Sequence, residues 1–296
     1  TVAVNLLGDS TPTLGDEDLT VWEEGLPART GESEGSNEPA NNETATGVLS
    51  DIASIRNAMD AARHPALLMV DTISSLGSID FRMDEWGVDI AVTGSQKGFM
   101  LPAGLAIVGF SPRAMAAVDT ARLPRTFFDI RDMGRSYAAN GYPYTPAVGL
   151  LNGLRQSCDM LLGEGLDNVF ARHRRIADGV RAAVQAWGLE LCAASPDLYS
   201  DSVSAIRTPD GFNATSIVTH AADTYGVAFG VGLGEVAGKV FRIGHLGMLT
   251  DVLALSGIAT AEMCMADLGL DIRLGSGVAA AQEVYRASAP ALKDAA

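Results

Sequence analysis

A chain of 296 residues, 47% of them apolar, can bury one large core or two ordinary ones. The formal charge of −15 argues against a nucleic-acid partner, because phosphate binding needs clustered Lys and Arg that the sequence lacks. Three scattered cysteines, Cys158, Cys192 and Cys264, form no C-x-x-C pair and suit a reducing cytoplasm, and no apolar run approaches the length of a membrane span.

Residues 1–40 carry nine acids and one arginine, and their second half, "ARTGESEGSNEPANNE", mixes Gly, Ser, Glu, Asn and Pro without period. Such a stretch buries too little apolar surface to offset its ordering entropy, so an irregular acidic arm is expected. From residue 48 the pattern alternates. "SDIASIRNAMDAARH" begins with Ser50 and Asp51 as cap candidates and puts Ile52, Ile55 and Met59 on one helical face. "ALLMVD" (66–71) is an apolar run ended by an acid, the pattern of a buried parallel strand whose carboxyl end meets a site. "DIAVTGS" and "GLAIVGF" predict two more strands. Residues 146–162 and 166–187 read as long helices punctuated by Gly163 and Gly165. Strands over "SVSAIR" and "GKVFRIG", a helix over 213–224 between them and a final helix over 251–268 complete an α/β first part and an α+β second part.

Between two of those strands stands Lys97, flanked by Gly94, Ser95, Gln96 and Gly98. A lysine in such a turn could be no more than a solvated loop residue. Asp71, however, ends the preceding strand, and parallel packing would bring acid and lysine to the same edge of one sheet.

The segments "NNETATGV", "MVDTISSLGSIDFRMDEWGVDIAVTGSQKG", "GYPYTP" and "VFRIGHLG", in this order and spacing, resemble the class V aminotransferases of pyridoxal-phosphate fold type I. Within that family the resemblance is to the serine–glyoxylate, alanine–glyoxylate and aspartate–glyoxylate enzymes, and it runs from about Asn42 to the C-terminus. It implies an α/β fold: part of a PLP-binding large domain on a mixed or parallel sheet over 41–162 and a C-terminal α+β small domain over 163–296.

The resemblance also implies the chemistry of each motif. Lys97 would form the Schiff base with pyridoxal 5'-phosphate and later carry a proton between substrate and cofactor. Asp71 would keep the pyridinium nitrogen protonated. Ile73 would pack on the ring, and Gln96 and Thr44 would reach the phosphate or the phenolic oxygen. Tyr142 and Thr145 would contact the phosphate across the interface of a homodimer. Arg242 would grip the substrate α-carboxylate bidentately, as a planar guanidinium can and an ammonium cannot. His245 and Arg135 are weaker candidates for a second carboxylate. The implied reaction converts glyoxylate to glycine with aspartate, serine or alanine as donor, in the cytoplasm and without metal. The alternative is a shortened, non-catalytic paralogue serving as a structural or interaction subunit.

Ahead of Asn42 the family's Gly-rich phosphate loop and ring-stacking aromatic are not recognisable, so the sequence predicts a front that is missing or altered. Other sites find less support. "GLGEVA" (232–237) satisfies G-x-G-x-x-A, but strand character resumes at once and leaves no phosphate-binding helix. His64, His173, His220 and His245 have no metal-ligand spacing.

Overall fold

A computed structural model of the chain describes residues 2–5, 40–125 and 127–288. The chain divides into two compact units, with the boundary falling in the loop at 43–49 and again at the start of a long helix. The acidic arm expected over 1–40 lies outside the described residues except at its two ends. There Val2–Asn5 forms a strand, β1, where no strand was expected, and Ala40 bridges in parallel to Asp71.

The first unit is built on a four-stranded sheet in the order β1, β6 (Ala106–Phe110), β5 (Ile90–Gly94), β4 (Met69–Asp71). β4 and β5 run parallel, whereas β5 with β6 and β6 with β1 run antiparallel. Helix α1 (Ile52–Ala61) starts where Asp51 accepts from Ser54 N at 3.0 Å, and it buries Ile52 and Met59. Those side chains meet Leu68, Val70, Val88 and Ala91, with Phe81 and Trp86 at the margin. Helix α2 (Pro112–Thr120) is capped by Ser111 and opens on a proline, the one residue whose missing N–H costs nothing at that position. Helix α3 (Ile130–Ala138), capped by Asp129, has no buried residue, and that thin apolar signal hid it in the sequence. Helix α4 (Val148–Glu164) begins two residues later than the 146–162 expected.

The second unit is an antiparallel sheet under four helices. The short loop strands β2 (Asn42–Glu43) and β3 (Val48–Leu49) bracket the turn at 44–47. After helix α5 (Leu166–Ala186) the sheet runs β7 (Glu190–Leu191), β8 (Val203–Arg207), β10 (Val240–Gly244), β9 (Gly230–Val231) in spatial order. Helices α6 (Thr215–Tyr225), α7 (Asp251–Asp267) and α8 (Ser276–Ala287) complete it. Ile176, Val180, Ile206, Ile217, Phe241, Ile258 and Met265 are fully buried in its core. The helix expected to be last, over 251–268, is followed by α8, which buries Gly277, Ala281 and Tyr285 and was not expected. Residues 232–237 bear out the sequence argument against a nucleotide site: a single 3₁₀ turn at Gly234–Val236 leads straight into β10. No helix among the described residues is long and apolar enough to cross a membrane.

Candidate active site

The parallel register of the first unit sets Asp71 opposite Val92, two residues before β5 ends at Gly94. Both strands therefore release their chains at the same sheet edge, and the turn after β5 carries Lys97. Asp71 is partly buried, and its Oδ1 accepts a hydrogen bond from Ile73 N at 2.7 Å. Burial raises the Asp71 pKa above the usual carboxylate value, and the Ile73 N–H and the Lys97 charge oppose that rise. Ile73 is itself half-buried on the following turn.

The Lys97 turn is held by its neighbours' backbone. Ser95 is fully buried, donates from Oγ to Pro102 O at 2.8 Å and accepts from Leu105 N at 3.1 Å. Met100 N closes onto Lys97 O at 2.9 Å, and Ser157 of α4 donates to Phe99 O at 2.6 Å. Gly98 packs on the turn that follows β4: a Cβ there would overlap Leu76 O and stand 2.9 Å from the Gly77 carbonyl carbon. Gly77 answers with a positive φ of +79°, so two glycines bring two backbones together and fix the lysine beside the Asp71 strand end. Gln96 is exposed, and its side chain folds back over Gly94. Tyr142 and Thr145 are exposed too, on the segment leading into α4. Tyr144 between them stacks on Phe127 with ring centroids 4.4 Å apart.

In the second unit Arg242 leaves β10 opposite Gly230 of β9. Gly230 gives it room, since a Cβ there would lie 3.0 Å from Arg242 Nε and 3.1 Å from its Cβ. Arg242 Nε donates to Val231 O at 2.8 Å and Nη1 to Thr44 O at 2.8 Å. Those two bonds use the Nε hydrogen and one of the two on Nη1, and the remaining N–H groups of Nη1 and Nη2 are available to a carboxylate. Burial lowers the Arg242 pKa, and the nearby Glu43 charge opposes the change. Thr44 thus meets the arginine through its carbonyl, a contact that no sequence spacing announces. In the same turn the Thr46 hydroxyl is buried without a hydrogen-bond partner among the described residues.

The weaker candidates separate from these. His245 is fully buried, with Nε2 3.0 Å from Ser204 Oγ and Nδ1 3.0 Å from Asp201 O. Burial, with help from the Arg181 charge, pushes its pKa down to about 3, so it stays neutral and braces the core. Arg135 is an exposed partner of Asp132 within α3.

Parallel strands that release an aspartate and a lysine at one sheet edge are the arrangement the resemblance to pyridoxal-phosphate transferases led us to expect. Residues 39–242 match the aminotransferase class V family, and the chain belongs to it. Over 276 residues it is 72% identical to an L-aspartate–glyoxylate aminotransferase of Paracoccus denitrificans, covering 90% of this chain and 70% of that protein. It is 56% identical over 250 residues to a serine–glyoxylate aminotransferase of Hyphomicrobium methylovorum, covering 84% and 62% respectively. Among solved structures, a pyridoxamine–pyruvate aminotransferase of Mesorhizobium loti superposes with a TM-score of 0.80 at 35% identity, over 85% of this chain and 65% of that one. The chain spans somewhat under two thirds of most of these relatives' length.

Proposed function

We propose that this chain transfers an amino group to glyoxylate, forming glycine, with aspartate, serine or alanine as donor and pyridoxal 5'-phosphate as cofactor. One observation carries the reading: the parallel register of β4 and β5 delivers a half-buried carboxylate and a lysine to the same sheet edge. The choice of glyoxylate is supported by the names of the two relatives above, one for aspartate and one for serine.

The residues present suit the cofactor. A carboxylate that burial has driven up, and that holds one backbone N–H, gains most from a cationic ring nitrogen placed against its remaining lone pairs. When bound, the cofactor supplies a conjugated electron sink for the pair left when the substrate Cα–H bond breaks. Lys97 would hold it through Nζ and, once released by the substrate amine, would serve as the base for the substrate Cα proton. Asp71 would face the ring nitrogen and favour its protonated form. Ile73 would lie against the ring, and Gln96 and Thr44 would meet its polar substituents. Arg242 receives the α-carboxylate on its Nη1/Nη2 end, and both substrates present that group. Tyr142 and Thr145 reach the phosphate bound by a second copy in a homodimer, a role that suits their exposure.

The test is direct because the chain has only three lysines, Lys97, Lys239 and Lys293. The purified protein is mixed with excess pyridoxal phosphate, its visible absorbance is recorded, and the sample is reduced with borohydride and mapped by mass spectrometry. The adduct is expected on Lys97, with glycine formed from glyoxylate and at least one of the three donors. An adduct confined to Lys239 or Lys293, or no glycine with any donor, overturns the reading.

A further inference from the structure

We infer that Glu43 is a positioning residue for the substrate carboxylate: its buried side chain shapes the turn whose Thr44 carbonyl aims the Arg242 guanidinium. The inference rests on the reading of Arg242 as the group that receives the α-carboxylate.

Arg242 is steered from two sides. Val231 O on the adjacent strand takes Nε, and Thr44 O takes Nη1, each at 2.8 Å, so the orientation of the free end depends on where those two carbonyls stand. Val231 is fixed by the β9–β10 pairing. Thr44 lies in the turn between β2 and β3. The far end of that turn is tied down well. Gly47, at a φ of +68°, lies against Val203 O and Ala205 N, its N–H donates to Glu43 O at 2.8 Å, and its carbonyl accepts from Ser200 N at 3.0 Å. At the near end Glu43 contributes its side chain. Its carboxylate is buried, and Oε1 accepts from Ala45 N at 2.8 Å, which fastens the peptide unit immediately after Thr44.

A buried glutamate spent on its own backbone two residues ahead is costly, since burying a charge for a single neutral N–H gains little. The cost is offset if the charge does something else. The Glu43 charge also lies near the half-buried Arg242 guanidinium and opposes the fall in pKa that burial causes there, while its Oε1 stays on Ala45 N. The hydrogen bond sets direction, and the charge offsets burial.

Two substitutions separate these contributions. Glu43→Gln keeps an acceptor at the same reach and removes the charge; Glu43→Met is of similar length and removes the strong acceptor as well. If direction is what matters, Glu43→Met raises KM for amino donor and glyoxylate together by about tenfold and leaves kcat within about threefold, while Glu43→Gln stays near the parent. In an Arg242→Lys background the Met substitution adds nothing further to KM, because the group it positions is gone. Should the Met variant fail to fold, Glu43→Ala takes its place. Parental KM in the Met or Ala variant overturns the inference, and so does a Gln variant as impaired as the Met one. If the parent chain forms no glycine, the functional reading fails separately. Calorimetric titration of glyoxylate then still decides the positioning role, with weaker binding expected for the Met variant than for the Gln variant.

Discussion

Two aspartates close opposite ends of the same parallel strand pair, and the fold treats them oppositely. Asp89, just ahead of β5 at the amino edge, is buried and saturated: it accepts from Leu68 N at 2.9 Å, Ser111 Oγ at 2.9 Å and Arg113 Nη1 at 3.2 Å. Asp71, at the carboxyl edge of β4, takes one N–H and keeps the rest of its accepting capacity. The same contrast holds in the second unit. Glu262 on α7 is buried and accepts from Trp187 Nε1 at 2.9 Å and from Gly275 N and Gly277 N at 2.7 and 2.6 Å, capping α8 across space. Arg242 leaves its outer end unspent. At these four positions the groups that brace the fold have their hydrogen-bonding capacity taken up, and the two proposed to meet a ligand keep part of theirs.

The strongest way to break this comparison is at Lys97. Lys97→Ala is expected to lower transamination by at least ~10³-fold and to abolish the borohydride-trapped adduct, because it removes both anchor and proton carrier. Its melting temperature should stay near the parent's, since the side chain is only partly buried in a turn. A variant that melts well below the parent would show the lysine to be structural.

Asp71→Asn against Asp89→Asn sharpens the contrast itself. Asn at 71 should lower kcat by ~10²–10³-fold with cofactor still bound, and should leave stability unchanged or higher, because it removes a charge that burial disfavours. Asn at 89 should do the reverse and cost about 2 kcal/mol, because an amide nitrogen would face Leu68 N or the Arg113 guanidinium. Urea unfolding and steady-state rates on the two variants test the pair. Equal effects on stability and rate would dissolve the distinction.

Gly98→Ala tests how the site is held. Its Cβ would run into Leu76 O, so the Lys97 turn must lift from the turn after β4. The expected cost is about 1–3 kcal/mol in stability together with a fall in kcat, read from the same two measurements.

The smallest effect concerns pH. His245 has a folded pKa near 3 against 6.5 for the free side chain, so below pH 6.5 the unfolded chain binds a proton that the folded chain refuses. Stability is therefore lost as pH falls from 6.5 toward 3, at up to about 1.4 kcal/mol per pH unit from this one group. Thermal melts of the parent and of His245→Gln between pH 7 and pH 5 check it, and the variant's profile should be flatter. Parallel profiles would assign the acid loss elsewhere.

Much of the molecule was legible along the chain. The apolar runs at 66–71, 90–94 and 105–110 and the long helices α4 and α5 could be read from local pattern and length, and Lys97 among its glycines broke that pattern visibly enough to mark a candidate site. Three elements were not expected: the short β1 at Val2–Asn5, α3 with no buried face, and α8. The tertiary structure alone decided how pieces far apart in sequence meet. It turned β6 antiparallel to β5, set Gly98 on Gly77, and joined Thr44 to Arg242 across 198 positions through a backbone carbonyl. It also took His245 out of contention by burying both ring nitrogens against partners. Residue identity and period are local properties of a chain and can be read from it. Which lone pairs remain unspent depends on every neighbour that folding brings within hydrogen-bond reach, and in this protein that remainder separates Asp71 from Asp89 and Arg242 from His245.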